Sequence, residues 1–206
     1  MIKITFMGAG STVFLRNVLG DCIYTDALKG MEIALYDIDG QRLEQSAAIL
    51  EAINKGNGCP ASIRSYLGAE NRRKALSGAD FVINAIQVGG YDPCTITDFE
   101  IPKKYGLRQT IGDTLGIGGI MRALRTIPVL EDFARDMEAV CPNAWFLNYT
   151  NPMSMLTGYM LRYTGVKTLG LCHSVQTCSK TLMDAIGMSD RLEGRRELIA
   201  GINHMG

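Results

Sequence analysis

No run in the 206-residue sequence approaches the roughly 18 consecutive apolar residues of a membrane-spanning helix, which excludes a transmembrane reading. The opening MIKITFMGAG lacks the apolar core and small-residue cleavage site of a secretory signal, so a cytoplasmic protein is expected. Net charge is absent too: 21 Lys and Arg balance 21 Asp and Glu. That balance offers no footprint for nucleic acid or an anionic membrane. None of the six cysteines (Cys22, Cys59, Cys94, Cys141, Cys172 and Cys178) forms a CxxC pair. Reduced, mostly buried thiols are expected. There is no repeat, low-complexity tract or linker-like stretch. What remains is a chain with 47% hydrophobic residues, enough for a substantial core, built as one large domain or one domain plus an appendage.

Strands and helices alternate. Ile2 to Met7 is an apolar run ending at Gly8, suited to a strand covered on both faces. Ser11 to Tyr24 has helical spacing, with Val13, Phe14, Val18 and Leu19 on one side. Further strands are predicted at Met31 to Tyr36, Ala79 to Ile86, Ala144 to Asn148, Lys167 to Cys172 and Glu197 to His204. Helices are predicted at Gln41 to Asn54, with Asp39 as its cap, at Met153 to Tyr163 and at Val175 to Ile186. A long helix, Gly119 to Ala139, is expected to kink at Pro128. The pattern implies an α/β fold: a doubly wound, Rossmann-like parallel sheet with right-handed crossovers.

Gly8-Ala9-Gly10-Ser11 ends the first strand and opens a helix. Gly8 permits a tight turn and Gly10 a close approach of backbone to a pyrophosphate, whose charge the helix N–H groups and dipole attract. Gly8, Gly10, Ser11 and Thr12 are therefore candidate contacts for a dinucleotide. Asp37, at the end of the second strand, can accept from ribose hydroxyls and repel a 2′-phosphate, favouring NAD over NADP. Gln87, before Gly89-Gly90, and Asn148 to Asn151 fall along the same crevice. Alone, GAGS also reads as a plain strand-to-helix turn, and Asp37 as a helix cap or solvated turn residue.

Several blocks then occur together: KITFMGAGSTVFLRNVLGD (3 to 21), QVGGYDPCTITDFEIP (87 to 102), IGDTLGIGGIMRALRTIP (111 to 128), LNYTNPM (147 to 153), LCHSV (171 to 175) and GINHM (201 to 205). In these residues and this order the chain resembles the NAD- and manganese-dependent family 4 glycoside hydrolases, most closely the bacterial α-galactosidases of the family. The resemblance implies an exception to two-carboxylate hydrolysis. NAD takes a hydride from sugar C3, the C2 proton becomes acidic, the aglycone is eliminated, water adds and the hydride returns. Manganese would hold the sugar hydroxyls and stabilise the developing charge.

The resemblance also implies site residues. Cys172 and His204 would be the metal ligands, a thiolate and an imidazole that leave positions for sugar oxygens and water. Read without it, Cys172 is a buried thiol and His204 a hydrogen-bonded structural residue. Neighbours in an extended segment point apart, so His173 should not share the ion of Cys172. It is a candidate catalytic acid or, equally, a sugar-hydroxyl contact. Asp113 is a second candidate catalytic residue, at a position of acidic substrate contact, or a turn residue in a glycine-rich loop. Asn151 and Asn148 are candidate substrate contacts.

Relatives acting on 6-phosphorylated sugars carry an Arg shortly after the double glycine, whereas GGYDPCTITDFEIP contains no Arg or Lys. A phosphate dianion would lack a charge partner there, so an unphosphorylated small-molecule glycoside, an α-galactoside, is expected. Family members are about twice this length, and the Tyr that serves as base lies in their second half. Residues 1–190 are thus expected to form the NAD-binding domain and 191–206 to begin a substrate domain, with most of the family's C-terminal α+β domain lacking. The fragment alone should bind NAD weakly, hydrolyse nothing and expose a seam, while the whole protein would be a homo-oligomer, a dimer or tetramer. A lactate- or malate-type dehydrogenase is the alternative enzyme, with Arg122 and Arg125 as carboxylate clamp. A non-catalytic NAD-binding module without a metal is the alternative of another class.

Overall fold

The computed structural model describes residues 1–58, 61–194, 196, 198, 201 and 204. Six parallel strands, β1 (Lys3–Met7), β2 (Glu32–Asp37), β3 (Ser62–Leu67), β4 (Phe81–Asn84), β5 (Trp145–Asn148) and β6 (Lys167–Gly170), lie in the order β3-β2-β1-β4-β5-β6. That is the doubly wound order of dinucleotide-binding sheets. The direction of winding reverses between β1 and β4, which opens a crevice at their carboxyl ends. No helix among the described residues is long and apolar enough to cross a membrane.

Seven helices follow the sheet: α1 (Thr12–Tyr24), α2 (Gly40–Gly56), α3 (Arg72–Leu76), α4 (Ile96–Lys104), α5 (Gly116–Val140), α6 (Met153–Tyr163) and α7 (His173–Ala185). The sheet alternates its side chains between two cores, as the period of two requires. Ile4 and Phe6 of β1 pack with Leu15, Leu19, Leu43 and Leu50 on the α1–α2 side. Met7 joins Leu130, Phe133, Met137 and Phe146 on the α5–α6 side. Fully burying one such side chain stabilises by roughly 1.5–3 kcal/mol, so Phe6 and its neighbours fix the level at which the β1 turn leaves the sheet.

Most predicted elements are present, several with the same bounds or shifted by one or two residues. Met153–Tyr163 is helical as read, and the Asp39 side chain caps α2 by accepting from the Arg42 N–H at 3.1 Å. Helix α5 runs as one element of 25 residues through Pro128. Its Ala123, Leu130, Phe133 and Met137 are buried at helical spacing, and that stripe holds the segment across the missing N–H of the proline. Three elements were not predicted. β3 is a short edge strand with mostly exposed residues, so its SIRSYL carries no apolar run. α3 has only five residues, and α4 carries an internal Pro102 and mixed polarity. Helix α7 starts at His173, two residues earlier than read, and has no buried residue among those described. Of the predicted strand from 197 to 204 only residues 198, 201 and 204 are described, none of them in a strand, and half of the proposed second-domain segment lies outside the described residues. The expectation of mostly buried thiols is corrected: of the described cysteines only Cys141 is buried, and Cys178 is exposed.

Candidate active site

The turn after β1 has φ +87° at Gly8, a conformation that disfavours side chains, and a Cβ there would sit 2.7 Å from the Ala85 carbonyl oxygen. The Gly8 and Ala9 N–H groups both donate to the Tyr36 carbonyl at 3.0 Å, hanging the turn on β2. The Gly10 N–H donates to one carboxylate oxygen of Asp37 at 2.5 Å. The other oxygen accepts from Ile38 and Asp39 N–H at 2.7 and 2.9 Å. Asp37 therefore first acts as a clasp between the glycine turn and β2, with lone pairs left over for a ribose hydroxyl. A Cβ on Gly10 would meet that carboxylate at 2.9 Å. Helix α1 opens with no acidic residue in its first turn and no side-chain cap from Ser11. Its positive end is thus left for an anion.

Ser11 and Gln87 line a cleft of about 310 Å³ at the carboxyl ends of the strands. Thr12 does not. Its hydroxyl pairs with that of Ser46 at 3.0 Å and ties α1 to α2. Asn148 is likewise absent from the lining and completely buried. Its amide accepts from Asn84 Nδ2 at 2.9 Å and from the Thr150 N–H at 3.1 Å, and donates to the Thr150 carbonyl at 3.2 Å. Asn148 thus braces the loop that carries Asn151. Asn151 does line the cleft. Its side-chain oxygen accepts from the Met153 N–H at 3.3 Å, and its carbonyl accepts from Arg122 Nε at 3.1 Å.

At the far end of the cleft, Cys172 Sγ and His204 Nε2 stand 3.5 Å apart. Two ligands of one tetrahedral ion, at about 2.3 Å for sulfur and 2.05 Å for nitrogen, stand about 3.5 Å apart, so the pair has the span of one edge of a coordination shell. Among the described residues no group of three His, Cys, Asp or Glu side chains is placed to share an ion. His204 is the one non-glycine with positive φ, +107°, among the described residues. That is strained backbone at the residue that faces the Cys172 thiol.

Cys172 is extended and His173 begins α7, and both line the cleft. The His173 ring packs against Phe14 and Tyr149, each with centroids 5.7 Å away. These aromatic residues join the glycine turn to the Cys172–His204 end of the cleft. Phe14 reads in the sequence only as a buried helix position, and nothing in LNYTNPM singles out Tyr149. Burial pushes the Tyr149 phenol up, with Cys22 adding to it.

Asp113 does not line the cleft but stands behind Arg122, with its Oδ2 at 3.7 Å from Arg122 Nη1. Burial pushes the Arg122 guanidinium down, against the opposing pull of Asp113 and Asp98. Arg125 does not share the cleft with it. It is bound through Nη2 to the fully buried Asp98 carboxylate at 2.6 Å and through Nε to the Val88 carbonyl at 3.2 Å. A carboxylate clamp by Arg122 and Arg125 together is excluded by that geometry.

The model of family 4 glycosyl hydrolases matches residues 3–188. The chain is 63% identical over 205 residues to an alpha-galactosidase of Bacillus subtilis, covering 100% of this chain and 46% of that protein. It is 35% identical over 209 residues to an alpha-galacturonidase of the same organism, covering 98% of this chain and 45% of that protein. In three dimensions it superposes on a 6-phospho-alpha-glucosidase from gut microorganisms solved with NAD and Mn2+, with a TM-score of 0.78 at 19% identity over 91% of this chain and 42% of that one. The chain thus spans about half the length of the curated relatives it matches.

Proposed function

The chain belongs to family 4 of the glycosyl hydrolases, and from that premise we propose that the whole protein hydrolyses unphosphorylated α-galactosides with NAD and a divalent cation, manganese. The observation that carries the reading is the meeting of Cys172 and His204 at 3.5 Å in the cleft that Ser11 of the glycine turn also lines. A dehydrogenase of the lactate type has no use for a thiolate–imidazole pair there.

The residues divide the work. Gly8, Gly10 and Ser11 receive the pyrophosphate at the α1 N-terminus, and Asp37 offers its remaining lone pairs to the ribose. Gln87, held by a hydrogen bond to the Thr95 hydroxyl at 3.2 Å, shapes the wall between them and the sugar. Cys172 and His204 hold the cation, with room for sugar oxygens. Asn151, fixed by Met153 and Arg122, presents its amide to the sugar, and the ring of His173 borders the same space. When bound, NAD and manganese supply reversible hydride transfer and Lewis-acid stabilisation of charge on the sugar.

The reading of an unphosphorylated substrate rests on the charges around the double glycine. Along α4 the first charged residues are Asp98 and Glu100, and Lys103 and Lys104 come only in its last turn. Arg125, the nearest guanidinium to the Val88 loop, is neutralised by Asp98. We place the C2 base in sequence that this chain does not contain, so these 206 residues bind NAD and do not turn over. The proposal includes cytoplasmic action and a dimeric or tetrameric whole protein. It is tested by assaying the whole protein on 4-nitrophenyl α-galactoside and on the same compound phosphorylated at C6, with and without EDTA. Cleavage of the first, abolished by EDTA, is expected; exclusive cleavage of the phosphorylated compound overturns the substrate assignment.

A further inference from the structure

Resting on the NAD reading, we propose that Thr150 is a positioning residue for the cofactor: its hydroxyl fixes the Ile86–Gln87 peptide so that the Gln87 N–H meets the nicotinamide-side ribose. Thr150 follows β5, is buried, and belongs to a chain of hydrogen bonds that has one direction. The Asn148 side-chain oxygen accepts from the Thr150 N–H at 3.1 Å, which settles which amide atom is the oxygen. Asn84 must then turn its amide nitrogen toward that oxygen, at 2.9 Å. The same nitrogen reaches Thr150 Oγ1 at 3.1 Å. The hydroxyl, accepting there, gives its one hydrogen to the Ile86 carbonyl at 3.1 Å, and the Asn84 carbonyl at 3.5 Å is the weaker acceptor. Asn84 Oδ1 is left buried with no partner among the described residues, so the amide is arranged for what its nitrogen holds.

A trans peptide points its C=O and its N–H in opposite directions. With the Ile86 carbonyl held by the buried Thr150, the Gln87 N–H points away from Thr150, and it makes no hydrogen bond among the described residues. Ile86 and Gln87 both line the cleft. The near flank of their turn is closed by Gly8, where a Cβ would stand 2.9 Å from the Ile86 nitrogen. The Gln87 side chain is occupied with the Thr95 hydroxyl, so the backbone donor is what this residue has free. A dinucleotide with one ribose at Asp37 and its pyrophosphate at the glycine turn runs from β2 across β1 and brings its second ribose to β4. An oxygen of that ribose is the acceptor that fits.

The test uses the whole protein and compares NAD with ADP, which lacks the second ribose. Calorimetry should find NAD about tenfold weaker in Thr150→Val, the loss of one oriented hydrogen bond, with ADP affinity as in the wild type. Thr150→Ser keeps the hydroxyl and should restore NAD affinity. A purely structural role would weaken both ligands alike; that result overturns the proposal, as does an NAD affinity that Thr150→Val leaves unchanged or that Thr150→Ser does not restore. If Thr150→Val fails to fold, hydrogen exchange resolved to single amides in the wild type decides: NAD should slow exchange at Gln87 and ADP should not, and equal exchange with the two ligands overturns the proposal. If the wild type binds no NAD, the cofactor reading falls and takes this proposal with it; firm NAD binding that leaves the Gln87 N–H unprotected sinks the proposal alone.

Discussion

The Cys172 thiol and the His204 imidazole, 32 residues apart in the chain, come within 3.5 Å of each other. The strand β6 ends at Gly170, and one extended residue later Cys172 stands at the mouth of the crevice. His204 reaches it with a backbone torsion that costs on the order of 1–3 kcal/mol. A strained conformation held beside a thiol is a reason to look for a ligand that both residues share.

If they share a cation, each must contribute to its affinity. Titrating manganese into the 206-residue chain should release protons, and affinity should fall as pH is lowered, because both ligands bind in their deprotonated forms. Cys172→Ser and His204→Ala should each weaken binding by about 100-fold or more, since even outer partners of metal ligands are worth 10–100-fold. Calorimetry in buffers of different ionisation enthalpy separates the proton release from the binding heat. Unchanged affinity in both variants would remove the metal from the reading.

The glycine turn makes a sharper stereochemical demand. Gly8→Ala meets the Ala85 carbonyl at 2.7 Å with φ +87°, so both backbone segments resist the new methyl. A loss of about 2–4 kcal/mol is expected from left-handed strain plus overpacking. That corresponds to a fall in Tm of about 4–16 °C at this chain length. NAD binding should weaken at least about tenfold as the turn shifts. Gly58 is the control: it also has positive φ, +56°, but nothing lies within 4 Å of its Cβ position, so Gly58→Ala should show the torsional cost alone. Equal losses in the two variants would mean that the contact with Ala85 contributes nothing.

The two alanine substitutions also mark where sequence reading works. Gly8, Gly10 and Asp37 are legible because a backbone rule governs them: a strand, a turn and an acid at the next strand end. The meeting of Cys172 and His204 is legible only through the resemblance, since each alone is an ordinary residue type. What Thr12 and Asn148 bond to was not legible, because sequence position does not say which way a side chain turns. Thr12 turns to Ser46 on α2, and Asn148 turns inward to Asn84 and Thr150. Arg122 was noticed as half of a clamp, but its partner proved to be Asp113, and Asp98 takes Arg125. β3 escaped because an edge strand needs no continuous apolar run.

A structural ion pair gives a prediction independent of any ligand. The buried Asp136 carboxylate of α5 accepts from Arg72 Nε at 2.6 Å and from Arg73 Nε at 2.7 Å. Arg72 also lies over the Phe133 ring at 5.2 Å. Burial pushes the Asp136 carboxyl up, but the hydrogen bonds from Arg73 and Arg72 outweigh it and hold the group below the usual carboxylate range. A depressed folded-state pKa means stability that is fully present above the unfolded value, near 3.9, and is lost as pH falls through the folded one. Asp136→Asn should therefore cost about 2–4 kcal/mol at neutral pH, because Arg72 is left partly buried without its counter-charge. The difference from wild type should begin to shrink below about pH 4, where the unfolded chain takes up the proton, and disappear only as pH falls through the lowered folded-state value. Urea unfolding at pH 7 and pH 3 measures both, and a pH-independent difference would assign the effect to packing instead.

Thiol chemistry offers a last test that needs neither substrate nor turnover. Burial pushes the Cys141 thiol up to about 11, with Lys3 pulling slightly the other way. At pH 8 only about a thousandth of such a group is thiolate, the reactive form. Cys22 is also raised, by burial first and then by Asp21. Cys178 lies exposed on α7. Iodoacetamide should therefore modify Cys178 early and Cys141 last. Cys172 should react in the apo chain and be protected when manganese is added, because an occupied sulfur lone pair is no longer a nucleophile. In His204→Ala the protection should be largely lost, while the rates at Cys178 and Cys141 stay as they were. Peptide mapping by mass spectrometry resolves each site. Labelling of Cys172 that ignores manganese in the wild-type chain would leave the thiol and the imidazole as a simple hydrogen-bonded pair.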